Sequence, residues 1–373
     1  MERRSYPHTV VSPPSFLEAQ NRRQKVRAAG LHPDYWYAVE YDRAVRPGQV
    51  IEVKFWHTSM ALYRDMEGQL HALENRCAHR QLKLSLGAVE GDCLVCLYHG
   101  WGYNAAGRVV RVPHDLFGRP LPMFKVASYP VKVRYGLIWI FPGDPGLAEQ
   151  QPIPTIPELE GPARWACVPI DFTWRAHHSM IMDNVTDFTH AYLHRKYRPF
   201  VDAKLTRCET IGDRVHVAYD TQVGTGRISG LFVDRRRVNT NSIELCYDYP
   251  YQWSNTGDKI KHWCFVLPID ERTSRVFFLF YFDALKVPYT SVRIPRWLMT
   301  PLLKLANRLL IVPLLQQDGG AVEAEQEGYE THFDAPLAEL NPAVHRFQQL
   351  TIRKWEEYLA KARTGQLARS EQL

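Results

Sequence analysis

The stretch Asp183-Asn-Val-Thr-Asp-Phe-Thr-His-Ala-Tyr-Leu-His194 places two histidines four positions apart, with Asp187 three positions before the first. On a helix, the imidazoles of His190 and His194 leave one face a turn apart, and Asp187 lies on that face as well. Two histidines and a carboxylate that leave open positions are the usual holders of a non-haem Fe(II) that activates oxygen. The third ligand must then come from elsewhere in the chain. Taken alone, the spacing fits equally well an amphipathic helix with a satisfied polar face.

The length of 373 residues allows two domains, each with its own core, and the composition is that of an ordinary globular protein. Residues 1–30 carry basic side chains without an apolar run, which predicts a basic N-terminal arm and argues against a secretory signal or a membrane span. Seven scattered cysteines and no export signal favour a reducing compartment. We therefore expect a cytoplasmic protein whose cysteines serve metals or cores.

The net charge of +6 is modest for this length. It favours contact with an acidic protein partner or an anionic lipid surface, but acidic residues are interspersed throughout the chain. The sequence has no long basic stripe interleaved with aromatic residues, so we exclude nucleic-acid binding. The run Arg235-Arg-Arg237 is interpreted as a solvated loop.

Residues 31–146 predict a small all-β domain, because short β-branched and apolar runs alternate with turn signals at close spacing. The segment 104–107 (Asn-Ala-Ala-Gly) predicts a hairpin turn between Tyr103 and Val109. The apolar run Val131 to Phe141 predicts one closing strand, and the Pro- and Gly-rich segment after it predicts a linker.

Two Cys/His pairs inside this domain carry the strongest signal: Cys77-Ala-His79 and Cys96-Leu-Tyr-His99. Two thiolates on one iron and two imidazoles on the other can hold a 2Fe-2S cluster, and the imidazoles raise its potential. A structural zinc site also accepts two Cys and two His, and Cys93 would offer a spare thiolate. Zinc sites usually group like ligands at close spacing, whereas each loop here offers one of each, which favours a Rieske centre.

Residues 147–373 predict an α+β domain: a helix-flanked, helix-grip-like antiparallel sheet carrying a mononuclear metal. We expect a strand at 165–174, a metal-binding helix at 177–194 and further strands that need cover on one side. Those further strands are 204–210, 214–219, 243–249, 261–267 and 275–282. Helices are expected at 295–310, 315–330 and 342–362.

Taken together, the motifs 75–80 (Asn-Arg-Cys-Ala-His-Arg), 96–101 (Cys-Leu-Tyr-His-Gly-Trp) and 183–194 resemble the catalytic oxygenase subunits of the Rieske non-haem iron oxygenases. The motifs occur in the family's order, and the resemblance spans nearly the whole chain. Two departures are visible, because the family often has Pro where Ala78 and Leu97 stand. These departures leave the four cluster ligands in place.

The resemblance implies a role for several further residues. Arg80 and Trp101 would flank the cluster, and Asn184 would lie near the iron. Asp187 would bridge a cluster histidine of a neighbouring subunit to His190, which a carboxylate one turn away could orient by hydrogen bonding. For Arg80, Trp101 and Asn184 the plainer readings are a surface charge, a core aromatic and a local cap.

The family also has a Gln/Glu-Asp segment on a C-terminal helix, which resembles residues 314–327 here. Asp318 directly follows the paired glutamines, and we favour it as the third iron ligand over Glu323. Otherwise these acids form a charged helix face. The spacing of the two histidines is similar to that of the homotrimeric carbazole and ketosteroid oxygenase-like branch, which implies a homotrimer assembled head to tail.

The function implied is a terminal oxygenase that uses O2 and electrons from NAD(P)H, delivered by a separate reductase or ferredoxin, to hydroxylate, demethylate or desaturate its substrate. Residues 287–315 are apolar with basic breaks, which suits either a core helix or a greasy, membrane-touching entrance for a bulky lipophilic substrate. We expect a steroid, sterol or polycyclic aromatic. The alternatives are a dioxygenase of a smaller aromatic, a Rieske electron-transfer protein without oxygenase activity and a zinc-stabilised binding module.

Overall fold

The computed structural model describes residues 12–161, 165–197, 200–223, 240–282 and 294–370. Its helices are α1 Arg22–Ala28, α2 Pro157–Glu160, α3 His178–Thr186, α4 Arg296–Ala306, α5 Val312–His332 and α6 Pro342–Ser370. A π-helical turn, Asn307–Ile311, joins α4 to α5. The N-terminal strands are β1 Tyr37–Tyr41, β2 Val50–Phe55, β3 Thr58–Arg64, β4 Leu70–Glu74, β5 Ala88–Glu90, β6 Cys93–Val95, β7 Gly102–Tyr103, β8 Val109–Arg111, β9 Ser128–Tyr129, β10 Val131–Arg134 and β11 Leu137–Ile140. The C-terminal strands are β12 Ala166–Trp174, β13 Phe200–Ile211, β14 Arg214–Val223, β15 Thr240–Asp248, β16 Tyr251–Thr256, β17 Ile260–Asp270 and β18 Thr273–Phe282.

The N-terminal strands form three small antiparallel sheets, in the orders β1-β11-β10, β2-β3-β4-β9 and β5-β6-β7-β8. The predicted turn at 104–107 is present, since the amide of Gly107 donates to the carbonyl of Asn104 at 2.8 Å and Gly107 has a φ of 78°. A left-handed φ favours glycine, because any side chain is strained there. The Cys96 loop joins β6 to β7 of the last sheet, whereas the Cys77 loop follows β4 of the second sheet. Both cysteines belong to a separate core with Trp101 and Tyr103.

The single strand predicted for Val131 to Phe141 is wrong, because the segment is a hairpin of β10 and β11. Tyr135 and Gly136 form its turn with φ values of 59° and 75°. Two consecutive left-handed residues match the right-handed twist of the flanking strands. The Gly136 interruption was a turn signal inside an otherwise apolar run.

The C-terminal half confirms the predicted α+β architecture, with a seven-stranded antiparallel sheet in the order β12-β18-β17-β16-β15-β14-β13. Every strand predicted in this half is present, but strand β16 was missed because its Gln, Ser, Asn and Thr residues give it a weak apolar pattern. The expectation that this sheet is covered on one side only is wrong for β17 and β18. Val266 and Phe278 face the main core with the helices, whereas Phe265 and Phe277 face a second core around Trp139.

A partly buried ion cluster ties the helices together. The guanidinium of Arg27, on α1, lies 2.7 Å from the Asp183 carboxylate on α3 and 2.8 Å from the Glu325 carboxylate on α5. Gln348 on α6 donates to Asp183 at 2.7 Å. The predicted basic arm therefore contains a helix that packs into the C-terminal half; residues 1–11 lie outside the described ranges.

The two halves are joined by backbone hydrogen bonds as well as by shared core. The amides of Trp56 and His57, in the turn between β2 and β3, donate to the carbonyls of Pro268 and Ile269 on β17 at 2.8 and 2.9 Å. Phe55 and Val53 enter the main core of the seven-stranded sheet. Across the ranges described above, none of the helices has the length and apolar character that crossing a bilayer requires.

Candidate active site

The predicted helix 177–194 is wrong in its second half, because α3 ends at Thr186. Asp187 takes an extended conformation, and its carboxylate accepts from the Thr189 amide at 2.8 Å and from the Thr189 hydroxyl at 2.6 Å. Aspartate that bonds a nearby backbone amide competes with helix continuation. His190 therefore starts a 3₁₀ turn, and Asp187 does not share a helical face with the two histidines.

The two histidines nevertheless converge with Asp318 of α5. Nε2 of His194 lies 3.2 Å and Nε2 of His190 lies 3.6 Å from Oδ1 of Asp318. One ligand atom from each residue lies within 4.8 Å of the other two, and the imidazole centroids are 5.1 Å apart. These three groups fit one mononuclear metal, since two imidazoles and one carboxylate are the donor set of non-haem Fe(II) sites.

Burial and the carboxylate act in opposite directions on the two imidazoles. Burial lowers the pKa of His190 more than the charge of Asp318 raises it. Burial also opposes protonation of His194, but the hydrogen bond and charge of Asp318 outweigh it and raise the pKa of His194. Nδ1 of His190 is buried without a hydrogen-bond partner in the described structure. A carboxylate between two imidazoles is a donor set whose negative charge a divalent cation would neutralise, and such a cation binds the deprotonated imidazoles.

Three neighbours hold this site in place, and two of them were not predicted from the sequence. Gln317 accepts from Nδ1 of His194 at 3.0 Å, which leaves Nε2 free to bind a metal. Phe200 packs edge-on against His190 and His194, with centroids 5.4 and 5.7 Å away. Asn184, expected near the iron, donates to Oδ1 of Asp318 at 3.3 Å. The sequence signal that could have indicated the contact between Gln317 and His194 is that Gln317 directly precedes Asp318.

Gly319 allows α5 to approach β12 closely beside Asp318. A Cβ at this position would stand 2.4 Å from Nε1 of Trp174, far inside van der Waals contact. Trp174 is 5% exposed and stacks on Phe172, so it has little room to move. The position of Asp318 along the sheet is therefore set by the absence of a side chain at the next residue.

The hydrogen bonds of the Asp187 carboxylate differ from those expected of a group that orients His190. Its Oδ1 accepts from the backbone and side chain of Thr189 and from Nδ2 of Asn341, the last at 2.8 Å. In the described ranges, no hydrogen bond joins the carboxylate of Asp187 to His190. Asp187 is half-buried and lies between the histidine pair and the start of α6.

The four Cys/His residues lie together at one tip of the N-terminal half. The thiols of Cys77 and Cys96 are each only 2% exposed, whereas the imidazoles of His79 and His99 are half-buried with centroids 4.5 Å apart. Burial raises the pKa of the Cys96 thiol, which the amides of Tyr98 and His99 oppose. Buried thiols below and accessible imidazoles above are the arrangement of a Rieske cluster, whose histidine-bound iron faces outward.

Trp101 and Arg80, which the resemblance implies would flank the cluster, make different kinds of contact in this region. The indole of Trp101 stacks on His79 at 4.7 Å with an interplanar angle of 5°, and its Nε1 donates to His114 at 3.3 Å. Arg80 is exposed and its guanidinium lies 6.0 Å from the ring centroid of Tyr98. Nδ1 of His79 is buried and without a partner in the described structure, as a nitrogen reserved for a metal would be.

The spacing of these ligands argues against a single zinc ion. A tetrahedral zinc site brings all four donor atoms within about 4 Å of one another. Within the described ranges, only His190, His194 and Asp318 bring three such atoms within 4.8 Å, and the tip residues do not. Cys93, the spare thiol, instead contacts Asp92 at 3.3 Å. The wider spacing suits a cluster of two irons.

Comparison with known proteins agrees with both sites. Residues 35–130 match the family model of the Rieske [2Fe-2S] domain, and residues 174–362 match the vanillate O-demethylase oxygenase C-terminal domain. The 4beta-methylsterol monooxygenase of Methylococcus capsulatus is 49% identical over 339 residues, covering 90% of this chain and 92% of its own. The oxygenase component of dicamba O-demethylase from Stenotrophomonas maltophilia is 38% identical over 139 residues, covering 37% of this chain and 40% of its own.

Solved structures share the fold. Dicamba monooxygenase bound to 3,6-dichlorosalicylic acid superposes with a TM-score of 0.71 at 22% identity, covering 89% of this chain and 99% of that chain. NdmA of Pseudomonas putida CBB5 with caffeine gives 0.63 at 21% identity, covering 91% and 92%. The zinc-module and electron-transfer-only alternatives account for neither the second domain nor its metal triad. The chain belongs to the Rieske non-haem iron oxygenases, as a catalytic subunit with a 2Fe-2S cluster and a mononuclear iron.

Proposed function

We propose that Cys77, His79, Cys96 and His99 hold the 2Fe-2S cluster and that His190, His194 and Asp318 hold the mononuclear iron. The observation that carries the second assignment is the convergence of two Nε2 atoms on Oδ1 of Asp318. We assign the electron-transfer domain to residues 31–146 and the oxygenase domain to residues 147–373. The chemistry that the bound groups supply is one-electron transfer at the cluster and O2 activation at the iron.

The residues of this chain orient and shield those groups. Gln317 fixes the tautomer of His194, Asn184 fixes the carboxylate of Asp318, and Phe200 keeps bulk water from the imidazole faces. None of the described side chains near the triad needs to act as a nucleophile. The protein's part in the reaction is to hold the ligands, tune the iron and orient the substrate.

We propose a 4-methylsterol, or a closely similar polycyclic lipid, as substrate, which a monooxygenation converts to an alcohol. This choice is supported by the 49% identity to a 4beta-methylsterol monooxygenase over nearly the whole length of both chains. In balanced form, one O2, two electrons and two protons convert R–CH3 to R–CH2OH and water. The electrons come from NAD(P)H by way of a separate reductase or ferredoxin, which Arg80 and the exposed Tyr98 near the imidazoles would face.

The test is a reaction of the protein with O2, NADPH and a surrogate reductase, on a 4-methylsterol and on the matching sterol without that methyl group. Mass spectrometry should find a gain of one oxygen in the first sterol and none in the second. Asp318→Ala should keep the cluster absorbance and lose the product. Product from both sterols would contradict the substrate assignment, and product from Asp318→Ala would contradict the iron assignment.

We also propose that α4 and the π-helical turn rest on an anionic membrane from which the substrate enters. Four leucines at helical spacing point outward and are between 38% and 58% exposed: Leu298, Leu302, Leu305 and Leu309. Met299 and Leu303 face the core at 2% and 4% exposure. The segment therefore has two apolar faces: one packs against the core, and the other, which carries the four leucines, is exposed to solvent. Exposed Lys304 and Arg308 lie along the outer face, and each basic group near anionic lipid contributes about 1 kcal/mol. Residues 287–293 lie outside the described ranges.

Vesicle co-sedimentation tests this proposal. Binding to phosphatidylglycerol vesicles should exceed binding to phosphatidylcholine vesicles and should fall sharply when Leu302, Leu305 and Leu309 become Ser. Leu337→Ser with Leu340→Ser is the matched control, because those leucines are 62% and 86% exposed elsewhere on the surface. Equal loss in both variants, or no loss in either, would contradict a specific contact. We propose a homotrimer as the assembly, which sedimentation equilibrium would measure.

A further inference from the structure

We propose that Asn341 is a positioning residue that holds the carboxylate of Asp187 in the orientation needed for electron transfer between subunits. This inference rests on the proposed function and on the role that the family resemblance implies for Asp187, a bridge between a cluster histidine of a neighbouring subunit and His190. Asn341 stands 154 positions after Asp187 in the sequence, and its Nδ2 donates to Oδ1 of Asp187 at 2.8 Å.

All the hydrogen bonds that fix Asp187 reach the same carboxylate oxygen. Oδ1 accepts from the amide of Thr189 at 2.8 Å, from its hydroxyl at 2.6 Å and from Asn341 at 2.8 Å. A carboxylate oxygen has about two lone-pair sites, so three donors saturate it and fix the rotation of the group. In the described ranges, no hydrogen bond reaches Oδ2. Oδ2 is therefore the oxygen left for an incoming imidazole N–H.

Asn341 is itself held from two sides and cannot follow Asp187 if that side chain turns. Its Nδ2 also donates to the hydroxyl of Tyr219 at 2.9 Å, and Tyr219 is fully buried in β14. Its Oδ1 accepts from the amide of Ala343 at 3.0 Å, which caps the N-terminus of α6. Asn341 thereby fixes the orientation of the Asp187 carboxylate relative to the sheet and to α6.

The transfer involves no change of covalent bonds. With both groups bound, one electron supplied by the reductase or ferredoxin would pass from the cluster held by the neighbouring subunit, which would be oxidised, to the iron held at His190, which would be reduced. A hydrogen bond between Oδ2 of Asp187 and the incoming imidazole would replace one gap on that route, the one at the subunit boundary. When Asn341 no longer fixes Oδ1, Asp187 can rotate and the contact of Oδ2 is made for a smaller fraction of the time.

The test is a single-turnover experiment on the intact protein, with the cluster reduced by dithionite and then exposed to substrate and O2. Asn341→Ser keeps a side-chain oxygen that caps α6 but is too short to reach Asp187. Tyr219→Phe removes one anchor of Asn341 without touching the cap. Tyr247→Phe is the matched control, because its hydroxyl also links the sheet to α6, by contacting Thr351 at 3.2 Å, away from Asp187.

We expect Asn341→Ser to slow the recovery of the cluster absorbance on reoxidation about ten- to hundredfold, as loss of an outer-shell partner typically does. Iron content, labile sulfide and the unfolding temperature should stay near those of the wild type. Tyr219→Phe should slow the same step by less, and Tyr247→Phe should leave it unchanged. An Asn341→Ser rate within twofold of the wild type, or equal slowing in both tyrosine variants, would overturn the inference.

Asp187→Ala separates failure of this inference from failure of the proposed electron route. If Asp187→Ala slows cluster oxidation and Asn341→Ser does not, only the positioning role of Asn341 is wrong. If Asp187→Ala leaves cluster oxidation unchanged, the route through Asp187 is wrong and the role of Asn341 falls with it. Should Asn341→Ser fail to fold, Tyr219→Phe against Tyr247→Phe decides the question alone.

Discussion

Adding one methyl group to each of two neighbouring glycines on α5 should have opposite effects. At Gly319 the new Cβ would stand 2.4 Å from Nε1 and 2.7 Å from Cε2 of Trp174, where ordinary contacts begin near about 3.5 Å. Helix and sheet must therefore separate by about 1 Å, and overpacking of this kind costs about 1 to 3 kcal/mol. At Gly320 a Cβ meets nothing within 4 Å, so Gly320→Ala should stabilise the helix by about 1 kcal/mol.

The shift at Gly319 also reaches the metal site, because Asp318 is the preceding residue. Metal ligands tolerate displacements of about 0.2 Å, far less than the separation expected here. Gly319→Ala should therefore lower the unfolding temperature by a few degrees and lose mononuclear iron while keeping the cluster absorbance. Thermal unfolding and iron analysis of both variants measure this. If Gly319→Ala is as stable and as rich in iron as Gly320→Ala, the packing argument is refuted.

Three further changes have expected outcomes. Arg27→Met should destabilise the fold by about 3 kcal/mol in urea unfolding, because it leaves the buried Asp183 carboxylate without its cation, and an unchanged midpoint would contradict this. His178 is buried and its pKa is lowered to about 4, so its protonation in the unfolded chain favours unfolding by up to about 3 kcal/mol as pH falls from about 6.5 to 4. Burial raises the pKa of Asp183 to about 6, which opposes this change, so the test is a comparison of variants: His178→Gln should lose less stability than the wild type over this pH range. His190→Ala should keep the red-brown cluster and abolish the proposed sterol oxidation, and retained turnover would contradict the iron assignment.

The parts of the fold that the sequence predicted are those with local signals. The two Cys/His pairs stand in short loops, each with one Cys and one His, which favours a Rieske cluster over a zinc site. Strands such as β14 and β18 are predicted by their alternating apolar pattern. Asp318 was predicted because residues 314–327 resemble the family's Gln/Glu-Asp segment, and Asp318 is the acid that directly follows the paired glutamines. The fold of the metal-binding stretch was mispredicted after Thr186, since a side-chain contact of Asp187 decides where α3 ends.

The contacts that the sequence could not give are made between distant segments. Asn341 reaches Asp187 from the start of α6, and Gln317 reaches His194 from α5. Neither the Asn341 nor the Gln317 side chain belongs to a recognisable motif of its own. From the sequence, an asparagine before Pro342 predicts only a helix cap. Such residues become visible only when the chain is folded, because their partners are set by packing and not by spacing.

The most direct test of two iron sites of different kind in this chain is the count of iron and labile sulfide per chain. The wild type should contain about three irons and about two sulfides, with a rhombic signal from the reduced cluster. His194→Ala should contain about two irons and about two sulfides, with that signal unchanged. Two irons in the wild type, or a variant that keeps its third iron, would contradict the assignment of the second site to His190, His194 and Asp318.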